Sequence, residues 1–210
     1  MRRLQRLLVG LMAGLLFTLN AHASLVYNVK INTSSLSGSE GYLDMGLIGL
    51  ADSPLAKATL SGIQGGTALG GDLLDGDGTA VPGGWQLGNT TGFNAVLAAW
   101  QFGQELAFQL TFSGDWESAV SGSGTTLAFK LWNDALDATL LSDDASGDLF
   151  RIDLWPQGLS TVSVFGIDGA GNFATVQQAA AVPEPASLVL LLTGLVALAL
   201  LRQQRRQAHR

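Results

Sequence analysis

The sequence of 210 residues predicts an all-β body, a β-sandwich of jelly-roll or Greek-key type, between an N-terminal signal peptide and a C-terminal transmembrane helix. Three observations carry this reading. Apolar residues alternate with polar ones in roughly nine short segments, the period of half-buried strands. Turn signals separate these segments roughly every 8–15 residues, the spacing of sandwich strands. And 24 of the 27 glycines fall in residues 24–182, where such a density weakens helices and favours turns.

Taken in order, the body opens with Leu25, Tyr27, Val29 and Ile31 alternating with Val26, Asn28, Lys30 and Asn32. Tyr42–Leu50 and Leu55–Ile63 read as the next two strands, parted by the turn signal Asp52-Ser53-Pro54. The Gly- and Asp-rich stretch 65–84 reads as a long loop. From Phe93 the apolar residues fall at Phe93, Val96, Leu97 and Trp100, a helical spacing, so a short helix is expected there. Strands follow with inward sets Leu106, Phe108, Leu110, Phe112, then Leu127, Phe129, Leu131, then Phe150, Ile152, Leu154. Leu159–Ile167 and Phe173–Gln178 close a domain spanning 24–178.

The ends are of different composition. Arg2, Arg3 and Arg6 precede an apolar stretch, Leu7–Leu19, and an Ala21-His22-Ala23 site. That pattern is a secretory signal peptide over 1–23, cut between Ala23 and Ser24 by signal peptidase after engagement of the Sec translocon. At the other end a linker with a Pro-Glu-Pro box, 179–187, leads to an apolar run over 188–201 and a basic tail over 202–210. The uncharged stretch Ala186–Leu201 would rise about 24 Å as a helix, a short span for a hydrocarbon core of about 30 Å. Arg202, Arg205 and Arg206 act as stop-transfer charges, and the positive-inside rule holds both basic ends in the cytoplasm. The body between them is exported.

Those end signals distort the overall charge. Residues 24–182 keep only Lys30, Lys57, Lys130 and Arg151 against sixteen acids, a net charge of −12 where the whole chain carries −6. Such a field repels nucleic acid and anionic membrane surfaces, so no nucleic-acid partner is expected. There is no cysteine, and both histidines, His22 and His209, lie in the ends. The body therefore lacks Ser-His-Asp and Cys-His machinery and the usual zinc ligands. The glycine pairs Gly65-Gly66 and Gly70-Gly71 have acidic neighbours, unsuited to phosphate.

What remains is carboxylates and tryptophans. Asp72, Asp75 and Asp77 place oxygen ligands at close spacing in a flexible stretch, the donor type calcium prefers. The EF-hand pattern fails, since Ala80 replaces its glycine and no glutamate stands at the twelfth position; a solvated Asp-Gly turn is the plainer reading. Asp143-Asp144-Ala-Ser-Gly-Asp148 is a similar, weaker case. Glu105, Asp115, Glu117 and Asp153 are the acids a glycosidase would draw on, but so small a body leaves little chain for a deep cleft, and no enzyme is expected. Trp132 and Trp155 share strand parity with polar residues, so they are candidates for stacking on sugar rings, with core or rim packing the alternative.

The order Val182-Pro183-Glu184-Pro185, apolar segment, arginine-rich terminus resembles the PEP-CTERM sorting signal of Gram-negative bacteria. The resemblance implies recognition by exosortase, a membrane-embedded cysteine transpeptidase, at Val182, Pro183, Glu184 and Pro185. It implies a membrane-held intermediate with a transient C-terminal anchor, then a place at the cell surface or in the exopolysaccharide matrix, with no cofactor. The body is also similar to small PEP-CTERM proteins that open with a stretch like Tyr27-Asn-Val-Lys-Ile-Asn-Thr-Ser34 and continue Gly41-Tyr-Leu-Asp44, a group that implies no activity. In a bacterium, the sequons Asn32-Thr-Ser34 and Asn89-Thr-Thr91 read as chance. Two readings stay open: a non-enzymatic surface or matrix protein, and a carbohydrate- or calcium-binding module of that matrix.

Overall fold

The computed structural model describes residues 24–166, 173–180 and Gly194. The organising element is one long strand. In chain order the strands are β1 (Leu25–Asn32), β2 (Glu40–Gly49), β3 (Lys57–Ala68), β4 (Leu73–Asp75), β5 (Gly78–Val81), β6 (Gly84–Gly88), β7 (Phe93–Ser113), β8 (Thr125–Asn133), β9 (Phe150–Trp155), β10 (Leu159–Val164) and β11 (Ala174–Gln178). All pairings are antiparallel and join in one sheet of order β10-β9-β8-β2-β7-β3-β6-β5, with β1, β4 and β11 off that path.

Strand β7 is 21 residues long and serves two different sets of neighbours. On one edge its first half pairs with β2, through Gln101 to Phe93, and its second half with β1, through Glu105 to Phe112. On the other edge β3 follows it from Ser113 back to Trp100. The alternation of buried and exposed residues breaks at Gln104 and Glu105, both exposed, where the strand turns its corner. Strand β3 bends with it, its register slipping between Ser61 and Gln64 and again between Gln64 and Gly66. Such irregularities re-aim a strand and raise its local twist.

Glycine makes this corner possible. A side-chain carbon on Gly103 would stand 2.8 Å from the Gly65 carbonyl carbon, and one on Gly65 would land on the Glu105 carbonyl oxygen. Gly65 also has φ +92, a backbone region closed to most L-residues. The two backbones touch because neither residue carries a side chain.

Folding the sheet at this corner yields a sandwich-like, all-β arrangement with one apolar core. Phe108, from the second half of β7, lies 5.0 Å from Phe129 of β8 and 6.5 Å from Phe150 of β9, centroid to centroid. Phe129 and Phe150 stack at 5.2 Å, and Tyr27 meets Phe112 edge-on at 6.0 Å. The Tyr27 hydroxyl reaches Ser160 of β10 at 2.9 Å. The inward sets expected for β1, β7, β8 and β9 are buried, with Leu25 only partly so. Asn89 and Asn94 are buried amides that fasten the turn between β6 and β7. Asn89 accepts from Ala56 N and donates to Pro54 O and Thr125 Oγ1, while Asn94 accepts from Asp77 N and donates to Leu47 O.

Two expectations are corrected. The helix expected from Phe93 is the first half of β7, with Asn94, Val96, Ala98 and Trp100 facing the core. Its outer face also carries Phe93, Ala95, Leu97 and Ala99, so apolar residues on both faces hid the alternation. The loop expected over 65–84 contains the end of β3 and the strands β4 and β5, and Gly84 opens β6. Among the described residues no helix is long and apolar enough to cross a membrane; the span expected over 188–201 lies, Gly194 apart, outside them.

The corner has a direct test. Gly65→Ala should cost roughly 3 kcal/mol or more, since backbone strain and overlap add. Gly62→Ala, with φ +67 but open space around it, should cost about 1 kcal/mol. Urea unfolding of the two variants measures the gap.

Candidate functional site

The outer face of β2, β8 and β9 gathers most of the body's polar chemistry. Parity places Glu40, Tyr42, Asp44, Gly46 and Ile48 of β2 on this face, with Thr126, Ala128, Lys130 and Trp132 of β8 and Arg151, Asp153 and Trp155 of β9. Register sets Tyr42 opposite Trp132 and Asp44 opposite Lys130, and Arg151 opposite Ala128.

An ionic network crosses the β8–β9 side. Asp148, nearly buried, receives Lys130 Nζ at 3.4 Å and the Arg151 guanidinium through Nε. Arg151 also donates to Asp144 at 2.6 Å through its second nitrogen, and its guanidinium lies 4.9 Å from the centre of the Phe165 ring. Burial opposes the guanidinium's charge, but the hydrogen bond and charge of Asp148, with Asp144 and Asp153, outweigh it and raise its pKa. The 143–148 segment, weighed above as a weak cation loop, thus has Asp144 and Asp148 engaged by a side chain of the same domain.

Beside this network Trp132 Nε1 donates to Asp44 Oδ2 at 2.9 Å. Burial pushes the Asp44 carboxyl above its ordinary value, with Asp148 adding to the rise, against the Trp132 hydrogen bond and the Lys130 charge. Trp155, 46% exposed, caps the far end of β9 against Gly124. The two candidate tryptophans therefore share a face but not a platform. Thr125 pairs with Leu154, which puts Trp155 level with Gly124, so about eight strand residues, roughly 26 Å, separate them.

The other candidates are dispersed. Asp72 accepts from Trp85 Nε1 at 2.8 Å, Asp75 from Gly76 N at 2.8 Å, and Asp77 from Thr90 Oγ1 at 2.8 Å. Each carboxylate is thereby turned to its own partner, and among the described residues no group of three or more His, Cys, Asp or Glu converges. Glu105 stands at the corner opposite Lys30, 3.7 Å away. Asp115 and Glu117 lie in a short 3-10 turn, and Asp153 accepts from Thr126 at 2.6 Å. The four acids weighed for sugar cleavage thus sit on three elements, Asp115 and Glu117 sharing one. Asn89, in the second sequon, has its side-chain amide engaged inside the fold.

Sequence reading passed over Tyr42, Asp44, Lys130 and Arg151 as site residues. The available signal was parity: Asp44, Lys130 and Arg151 interrupt apolar strands on the face that Trp132 shares, but cross-strand register cannot be read from one strand alone.

Two outcomes check this electrostatic account. Arg151→Met should cost about 3 kcal/mol, because it leaves Asp148 buried with half its partners, whereas Lys30→Met, at an exposed pair, should cost no more than about 0.5 kcal/mol. The folded state holds the Asp44 proton more tightly than the unfolded chain, so ionised Asp44 costs stability at neutral pH. That cost vanishes as pH falls through the raised value toward the ordinary carboxylate one. Asp44→Asn should therefore be the more stable protein at neutral pH, with the difference shrinking on acidification, as denaturant titrations across that range would read.

The sorting residues Val182, Pro183, Glu184 and Pro185, the arginines Arg202, Arg205 and Arg206, and Ala21 and Ala23 lie outside the described residues, and Ser24 is the first residue described. The body from Ser24 to Ala180 forms one compact unit. No curated protein matches the chain, and no solved structure does. Residues 181–206 match the family model described as the PEP-CTERM protein-sorting motif, so the chain carries, at its C-terminal end, the kind of signal that exosortase processes.

Proposed function

We propose that the protein is a non-enzymatic component of the cell surface or extracellular matrix, delivered there by its two ends. The observation that carries this reading is the sorting motif over 181–206. The signal peptide over 1–23 would route the chain through the Sec translocon and signal peptidase. The apolar run over 188–201 would hold it briefly in the membrane, with Arg202, Arg205 and Arg206 on the cytoplasmic side. Pro183 and Pro185 fix φ and bias the preceding residues toward extended backbone, a shape a membrane-embedded active site can grip. Exosortase would then cut at or near the box and release a body of jelly-roll or Greek-key type.

Chemistry supports a passive role for the body. Without histidine or cysteine in the body, proton transfer at neutral pH would fall to carboxylates, and of those weighed for catalysis only Asp115 and Glu117 share an element. The second reading, a binding module of the exopolysaccharide matrix, is favoured by Trp132, which lies half-buried on a polar sheet face.

Processing is measured by the intact mass of the protein from its native host. The expected species begins at Ser24 and lacks the residues beyond the Pro-Glu-Pro box. Changing both Pro183 and Pro185 to alanine should shift the population to a chain that ends at Arg210 and fractionates with membrane. A wild-type chain ending at Arg210 in a host that possesses exosortase would overturn the reading.

A further inference from the structure

The aromatic pair Tyr42 and Trp132 sits in surroundings made for a positive charge. The two residues face each other across β2 and β8 on the outer face, both half-buried. Trp132 donates to Asp44, its diagonal neighbour on β2, so the indole must lean across the sheet instead of standing off it. Part of the side chain stays open to solvent, as does part of Tyr42. Around this platform acids outnumber bases. Glu40, exposed, shares the face two residues before Tyr42, and Asp134 and Asp137, both exposed, lie in the turn that follows β8. The nearest cation, Lys130, is held by Asp148.

An aromatic face ringed by carboxylates attracts ammonium groups, through the ring quadrupole and through Coulomb attraction. A body charge of −12 adds a long-range field of the same preference and turns away acidic polymers. We infer that the Tyr42–Trp132 face binds a polysaccharide bearing free amino groups, its sugar rings laid on the aromatic pair and its ammonium groups against Glu40 and the acidic turn. A glycan is favoured over a basic peptide because two partly exposed aromatic residues stand side by side on adjacent strands of one sheet face, an arrangement suited to stacking. The inference rests on the matrix reading only for where such a polymer would be met.

Calorimetry with the protein purified from its host tests it, using a glucosamine hexamer at mildly acidic pH. The hexamer should bind, the N-acetylated hexamer at least tenfold more weakly. Trp132→Ala should weaken binding about tenfold, and Trp132→Phe should restore most of it. Trp155→Ala, at the other end of the same face, should leave it unchanged. Should Trp132→Ala not fold, Glu40→Gln and Tyr42→Ala decide instead, each expected to weaken binding severalfold. Equal affinity in wild type and in the Trp132 and Tyr42 variants would show that the acidic field alone collects polycations, and would overturn the inference. So would equal binding of the acetylated hexamer, or a lysine-rich peptide binding more tightly than the glycan in a Trp132-dependent way. The protein's mass is read on the same sample, so a failure of sorting and a failure of binding are told apart.

Discussion

The fold depends on backbone contact between Gly65 and Gly103. Strand β7 can lie in both halves of the sheet only because β3, which follows it along most of its length, bends at the same point, and the bend brings their main chains together without intervening side chains. Everything downstream uses that corner. It turns Phe108 toward Phe129 and Phe150, puts β1 and β2 on successive lengths of one strand edge, and closes the core without a disulfide. A single strand shared by both halves ties them mechanically, since neither can open without disturbing β7.

What could be read from the sequence follows from this geometry. Where one strand face meets the core and the other meets water, the alternation is plain, as in Leu127, Phe129 and Leu131 against Thr126, Ala128 and Lys130. Where both faces carry apolar residues, as at Phe93, Val96, Leu97 and Trp100, a strand and a helix share the same pattern and the wrong period is chosen. Gly65 reads as loop because the composition around it is that of a loop; only the pairing of β3 with β7, distant in sequence, gives it another role. Trp132 stood out as a site residue from its parity, but its partner did not. Tyr42 faces it from a strand ninety residues earlier, and the Asp72, Asp75 and Asp77 carboxylates each accept from a different residue, Trp85, Gly76 and Thr90.

Charge links the body to its address. Of its four cations, Lys130 and Arg151 are taken up by Asp144 and Asp148, and Lys30 stands by Glu105. Glu40, Asp52, Asp72, Asp75, Asp115, Asp134, Asp137 and Asp143 are exposed, an excess of negative charge that makes such domains repel one another. Under the proposed sorting, the arginines at the two ends would have the opposite task, holding those ends on the cytoplasmic side.

The central claim is that the C-terminal segment is a processed address for this β-domain. It is tested most directly by pulse-chase labelling in the native host with and without its exosortase. Without exosortase the label should stay at full length in the membrane fraction, while in the intact host it should pass to a shorter, released or surface-bound form. Identical length and fractionation in both hosts would contradict it.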